Sequence, residues 1–152
     1  MEMIQRDIQL KPRSRGFHLI TREIEEALPE LREWETGMAF LLLRHTSASL
    51  SLNENADPDV RTDMEFLMNR IVPEGLPGYV HTLEGRDDMP AHGKSALLGA
   101  SLNLPVKNGR FHLGTWQGIY LCEHRDRAGA RNLTVTLLGQ RSAQESRRPE
   151  KR

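Results

Sequence analysis

The sequence predicts an α+β domain. Three observations carry that expectation: strand-like segments near both ends of the chain, helical segments with recognisable starts between them, and no internal repeat or second unit within 152 residues. Strands and helices that come in runs, rather than in strict β-α-β alternation, point to a mixed or antiparallel sheet with about three helices.

The first segment, "MEMIQRDIQL", sets Met3, Gln5, Asp7 and Gln9 against Ile4, Ile8 and Leu10, with Arg6 interrupting the apolar side. A period of two is that of a half-buried strand, and the interruption places it near a sheet edge. "KPRSRG" reads as a turn. In "FHLITREIEEALPELREW" the residues Ile20, Ile24, Ala27, Leu28 and Leu31 recur at helical spacing, with Thr21 as the expected N-cap. Pro29 disfavours helical geometry at the residue before it, so that helix should end near Leu28.

"GMAFLLLRH" is apolar on both faces from Met38 to Leu43, the pattern of a central strand. "ADPDVRTDMEFLMNRIV" is helical. Asp57 suits the N-cap, Pro58 the first turn, and Asp59 the positive end of the helix dipole. Val60, Met64, Leu67, Met68 and Ile71 form its apolar stripe, and Pro73 ends it. After a loop, a third helix runs from about Pro90 toward Gly99 or Ser101. The segments "LNLPV", "GRFHLG", "WQGIYLCEH" and "RNLTVTLLG" read as strands, with Asn108-Gly109 making a tight hairpin. The layout is one domain over 1–140 and a polar, flexible tail over 141–152, where no apolar periodicity remains.

Hydrophobic content of 38% and charged content of 28% are those of a globular protein with a real core. Twenty-one basic residues balance 21 acidic ones. That balance supplies no general attraction to nucleic acid or to a membrane surface, and it protects little against self-association. No apolar run is long enough to span a bilayer, and Cys122 is the single cysteine, so no intrachain disulfide forms. A cytoplasmic location is expected.

Chemistry concentrates in three stretches. In "LLLRHTSASLSLNENADPDV" an apolar strand gives way at Arg44 to His45, Thr46, Ser47, Ser49, Asn53, Glu54, Asn55 and Asp57, hydrogen-bonding groups where a simple turn would suffice. In "GYVHTLEGRDDMPAHGKS" His81 precedes Glu84, Asp87 and Asp88, and His92 follows in the first turn of the third helix. Imidazole beside carboxylate suits proton transfer or a divalent cation, although a separation of eleven positions between two histidines is no established metal spacing. Separate histidines satisfied by backbone carbonyls are the bland alternative, and His18 and His112 fit it. In "GTWQGIYLCEHR" Gly114 and Gly118 bracket Trp116 and Gln117, a pair able to stack on a heterocycle and bond its edge, or to serve as core or subunit interface. Glu123 could hold a proton or a metal, or pair with Arg125. Arg125 and Arg131 flank a loop suited to an anion, as do Thr46 and Ser47. Cys122, on an apolar strand, reads as packing rather than as a nucleophile. Neither a P-loop nor a dinucleotide fingerprint occurs.

Taken together, "RHTSASLSLNENADPDVRTDM", "DDMPAHGKSALLG" and "GTWQGIYLCEHR" resemble the YjbQ family, small bacterial and archaeal proteins described as secondary thiamine-phosphate synthases. The resemblance runs from Arg13 to Gly139. It implies a compact α+β subunit with a β-sandwich-like sheet arrangement, assembled as a homotrimer. It also implies a polar pocket lined by His45, His81 and His92, with a divalent metal, zinc or magnesium, held there. Catalytic work would fall to those histidines and Glu123. Thr46, Ser47, Asn55, Asp57, Trp116, Gln117, Arg125 and Arg131 would bind a small phosphorylated metabolite. The implied reaction joins hydroxymethylpyrimidine diphosphate to thiazole phosphate and releases pyrophosphate. Because that activity is described as secondary, two other readings stand beside it: a metal-dependent hydrolase of a phosphorylated or cyclic metabolite, and a non-catalytic trimeric metal- or metabolite-binding protein. Gly93 stands where many relatives carry a β-branched residue, a change that weakens a helix by up to about 1 kcal/mol.

Overall fold

A computed structural model describes residues 1–143, so most of the 141–152 tail lies outside the described residues. The fold is α+β and its two sheets are antiparallel throughout. Strands β1 (Glu2–Leu10), β3 (Trp34–Leu43), β5 (Ser101–Lys107), β6 (Arg110–Phe111) and β8 (Arg131–Arg141) form one sheet in the order β1-β8-β3-β5-β6. Strands β2 (Gly16–Leu19), β4 (Ala48–Glu54) and β7 (Gln117–Glu123) form the other, in the order β2-β7-β4.

The two sheets pack face to face. Leu41, Leu43, Leu104, Leu133, Val135 and Leu137 of the larger sheet share one core with Ala48, Leu50, Ile119 and Leu121 of the smaller. Alternation along β7 then sends Tyr120 and Cys122 to the opposite side, where they pack with Phe17 and Met68. Helix α2 (Pro58–Ile71), which supplies Met68, and helix α3 (Asp88–Leu98) make up the third layer on that side. Helix α1 (Thr21–Ala27) and a 3-10 turn over Pro29–Glu33 add Ile24, Leu28 and Leu31 to the main core.

β1 is an edge strand, and its Arg6 is explained by an ion pair with Glu30 at 2.7 Å. Asp57 caps α2 by accepting from the Asp59 N–H at 2.9 Å. Asn108 and Gly109 turn with φ of 51° and 76°, as a tight hairpin requires. Two expectations need correction, and two strands are added. Thr21 does not cap α1: its hydroxyl accepts from the Ile119 N–H of β7 at 2.8 Å, and Ile20 stands at the cap without a side-chain bond. "GFHL" and "ASLSLNE" are strands, formed because each lies against β7. β3 is central but covered on one side only, with Phe40 39% and Leu42 49% exposed. At Gly93, a Cβ would meet the Val72 side chain at 2.9 Å, so a branched residue would need that contact to shift. Among the described residues no helix is long and apolar enough to cross a membrane.

Candidate functional site

Helix α3 starts at Asp88, and one turn later His92 returns to the same side, as residues four apart on a helix do. The Asp88 carboxylate is buried and holds two imidazoles with one oxygen: Oδ2 lies 2.6 Å from His81 Nε2 and 3.2 Å from His92 Nε2. One ligand atom from each of these three residues falls within 4.8 Å of the other two. The rings meet edge to face, 5.3 Å between centroids.

The other oxygen of Asp88 accepts from Arg125 Nη1, while Arg125 Nε donates to Asp87 Oδ2 at 2.9 Å and Nη2 to the Glu84 carbonyl at 3.0 Å. The guanidinium therefore fixes which Asp88 oxygen faces the histidines. Burial alone would raise the Asp88 carboxyl. The His81 hydrogen bond and the charges of Arg125 and His92 outweigh it and hold the group below the usual carboxylate range.

His92 carries the most informative geometry. Its Nδ1 lies 2.9 Å from the Thr46 carbonyl, and a carbonyl can only accept, so Nδ1 bears the proton. In the neutral ring Nε2 then presents a lone pair to Asp88 Oδ2, another acceptor, at 3.2 Å. A protonated ring donates there, as the lowered Asp88 carboxyl requires; a neutral ring leaves two lone pairs facing, which a cation between them would satisfy. An imidazole oriented through Nδ1–H toward a backbone carbonyl, with Nε2 turned to the site, is also the orientation that a metal-ligating histidine takes. Two imidazole nitrogens and one carboxylate oxygen match zinc better than magnesium, which takes oxygen ligands.

The remaining sequence candidates divide between two other places. His45 is not in the three-residue cluster. Its Nε2 accepts from the Asn132 N–H at 2.7 Å, and burial, with the nearby charge of Arg131, holds it below the usual imidazole range. Glu123 and Arg131, buried and facing the sandwich interior from opposite sheets, form a two-pronged pair at 2.8 and 2.6 Å. Arg131 also donates to the Ser47 carbonyl and hydroxyl at 3.2 and 3.1 Å. Thr46 and Ser47 are thus shared: one residue's carbonyl orients His92, the next closes over Arg131.

The second group surrounds Trp116. The Asn55 amide donates to the carbonyls of Thr115 and Gln117 at 3.1 and 3.0 Å, and its backbone N–H to the Trp116 carbonyl at 2.9 Å. Gln117 Oε1 accepts from the Gly114 N–H at 2.8 Å. These bonds hold the loop while Trp116 stays 65% exposed.

Beneath α3 lies a buried polar group that carries no mark in the sequence. His124 Nε2 lies 2.8 Å from the Ser49 hydroxyl, and its Nδ1 has no partner among the described residues. Burial, reinforced by the charges of Lys94, Arg131 and Arg15, lowers His124 to about 3. Lys94 is wholly buried and donates to Asn69 Oδ1 at 2.6 Å. Burial pushes the Cys122 thiol up to about 12, which agrees with a packing role. His18 is satisfied by the Ser14 carbonyl at 2.7 Å.

Comparison with known proteins gives a consistent result. A family model described as UPF0047 protein YjbQ-like matches residues 6–140. The UPF0047 protein YjbQ of Salmonella typhimurium is 56% identical over 136 residues, covering 90% of this chain and 98% of the relative. The UPF0047 protein YugU of Bacillus subtilis is 38% identical over 135 residues, covering 87% and 97%. Among solved structures, the conserved hypothetical protein TT1486 of Thermus thermophilus superposes with a TM-score of 0.77 at 35% identity, over 88% of this chain and 99% of that one. A YbjQ-like protein of unknown function from Sulfolobus solfataricus gives 0.79 at 23% identity, over 91% and 99%, and bears on the fold alone.

Proposed function

We propose that this chain, which belongs to the YjbQ-like UPF0047 family, is a metal-dependent enzyme acting on a small phosphorylated metabolite at His81, Asp88 and His92. The observation that carries the reading is the facing of His92 Nε2 and Asp88 Oδ2 while Nδ1 is committed to Thr46. A bound divalent ion supplies positive charge for a departing or transferring phosphate oxygen. The chain's own residues do the rest. Arg125 fixes the Asp88 carboxylate, Thr46 sets the His92 ring, and His81 lies at the exposed side of the cluster, 46% accessible.

The activity implied by the resemblance, formation of thiamine phosphate, belongs to this proposal. There the thiazole nitrogen bonds to the pyrimidine methylene carbon, and the C–O bond to pyrophosphate breaks with its electrons on the leaving oxygen. Metal-dependent hydrolysis is the second reading. Hydrolysis needs no second organic substrate and so no platform for a pyrimidine, and Trp116 is not among the residues lining the hollow at His81.

The test is zinc affinity by competition with a chelator, alongside kcat/KM for thiamine phosphate. Wild type should bind one zinc, and His92→Ala should lower the affinity on the order of 100-fold or more, since loss of an orienting partner alone costs about 10–100-fold. Equal zinc binding by both proteins would remove the centre. A kcat/KM above roughly 10⁴ M⁻¹s⁻¹ that His92→Ala loses would support the synthase. A trace rate that the variant keeps would leave hydrolysis.

Self-association as a homotrimer, in the cytoplasm, is part of the same proposal and is supported by a separate feature. The outer face of the larger sheet leaves Met3 68%, Phe40 39% and Leu42 49% exposed, an apolar strip that another copy would cover. Sedimentation should give three chains for wild type and a lighter species for Phe40→Glu; a monomeric wild type would end this assignment.

A further inference from the structure

The arginines that flank the "DRAGA" loop are not free to meet a substrate. Arg125 is committed to Asp87, Asp88 and the Glu84 carbonyl, and Arg131 to Glu123 and Ser47. A different cation stands beside the centre. Between α2 and α3 the chain turns at Gly75, Gly78 and Gly85, with φ of 63°, 104° and 106°, backbone that other residues adopt only under strain. Tyr79 closes the loop on itself, its N–H bonding the Leu76 carbonyl at 3.2 Å and its hydroxyl donating to the Pro73 carbonyl at 3.1 Å.

The loop borders a half-open hollow of about 280 Å³ lined by Leu76, Pro77, Tyr79, His81, Met89 and the largely exposed Arg86, among others. His81 belongs both to this hollow and to the cluster with Asp88. Arg86 lies across the bare Cα of Gly75: a Cβ there would fall 2.5 Å from Arg86 Nη2. Its nearest carboxylate, Glu74, is 3.9 Å away and gives its other oxygen to Arg15 at 2.5 Å. Arg86 therefore keeps its donors, and among the described residues it is the cation offered to this hollow. Leu76, Pro77 and Met89 make the apolar wall.

We infer that the hollow beside His81 is the substrate subsite and takes a small organic anion, its phosphate or carboxylate head on Arg86 and a short apolar body against Leu76, Pro77 and Met89. The volume suits a metabolite of a few carbons and is too small for a dinucleotide or a polymer. The assignment rests on the metal reading for its catalytic sense, but the recognition it describes does not require the metal.

The two are separable in one experiment. Butyl phosphate, butyrate, inorganic phosphate and butylamine are titrated into zinc-free and zinc-loaded protein, with the amide signals of residues 75–89 followed by NMR. Butyl phosphate should bind in both forms, inorganic phosphate more weakly, and butylamine not at all. Arg86→Gln should weaken butyl phosphate about tenfold or more, by loss of a charge-assisted bond, with zinc affinity unchanged. Butyrate binding more tightly than butyl phosphate would assign the head to carboxylates, and the reverse order to phosphates; either supports the subsite. Equal affinity of wild type and Arg86→Gln, binding of butylamine, or no binding of either anion would overturn the subsite even where zinc binds. If zinc fails to bind while butyl phosphate still depends on Arg86, the subsite stands and the metal centre falls.

Discussion

Arg131→Ala should destabilise the protein by about 3–5 kcal/mol, the cost of leaving a buried charge without its partner. The reason lies in where the pair sits. Glu123 is wholly enclosed and Arg131 nearly so, and each projects from its own sheet into the end of the sandwich. Two short bonds join the carboxylate to the guanidinium, and Ser47 takes two further contacts to the same Nη2. No other cation among the described residues pairs with Glu123; its carboxylate's one other hydrogen bond there is from the Arg125 N–H at 3.3 Å. A chemical-denaturation midpoint measures the loss. The double variant Arg131→Met with Glu123→Met should recover most of it, because a well-packed apolar pair often matches a buried ion pair. If Arg131→Ala costs less than about 1 kcal/mol, water reaches Glu123 and the pair is not the closed clasp described above.

The second large effect concerns acid. His124 is held neutral in the fold at a value of about 3, against 6.5 for an ordinary imidazole. Its folded value is depressed, so the unfolded chain binds the extra proton first. Stability from this group is complete above pH 6.5 and falls as pH drops toward 3. At about 1.4 kcal/mol per pH unit, roughly 2 kcal/mol should be gone by about pH 5. His45, also lowered, acts with the same sign, whereas Asp87 and Asp88 contribute only nearer their own lower range. Urea midpoints from about pH 7 to about pH 5 should therefore decline for wild type. His124→Gln, which cannot acquire the charge, should flatten most of that slope. A slope unchanged in His124→Gln would show that the decline comes from elsewhere.

How much of this is legible in the sequence depends on the kind of signal. Asp57 before Pro58 and the Asn108-Gly109 turn are local chemistry, and the structure follows them. β2 and β4 escape a local reading because their strand character comes from pairing with β7; the alternation of Ser49, Leu50, Ser51 and Leu52 is hidden by the polar residues around it. The candidate centre is half legible. His81 and His92 stand out, and so does Asp88, but a helix begun at Pro90 leaves Asp88 outside it. Started at Asp88, the same sequence shows the i, i+4 pair that brings Asp88 and His92 together. His45 resembles them because it follows a strand in polar company; its ring instead turns to the β8 backbone at Asn132. The partners of Arg125 and Arg131 depend on which loops meet in space, and charge alone does not distinguish a ligand from a brace. Lys94 and His124 carry no signal at all, since burial of a charged residue is decided by the layers that close over it.

The strand order β1-β8-β3 has a consequence for how the molecule comes into being. Glu2 faces Gly139, and β8 lies between the first strand and the third. Until residues 131–141 leave the ribosome, the larger sheet exists as two pieces with open, hydrogen-bonding edges, and its core cannot shut. Closure of that core should therefore be slow, as contacts between distant residues require. The nascent protein passes through a stage in which bare strand edges invite pairing with other chains.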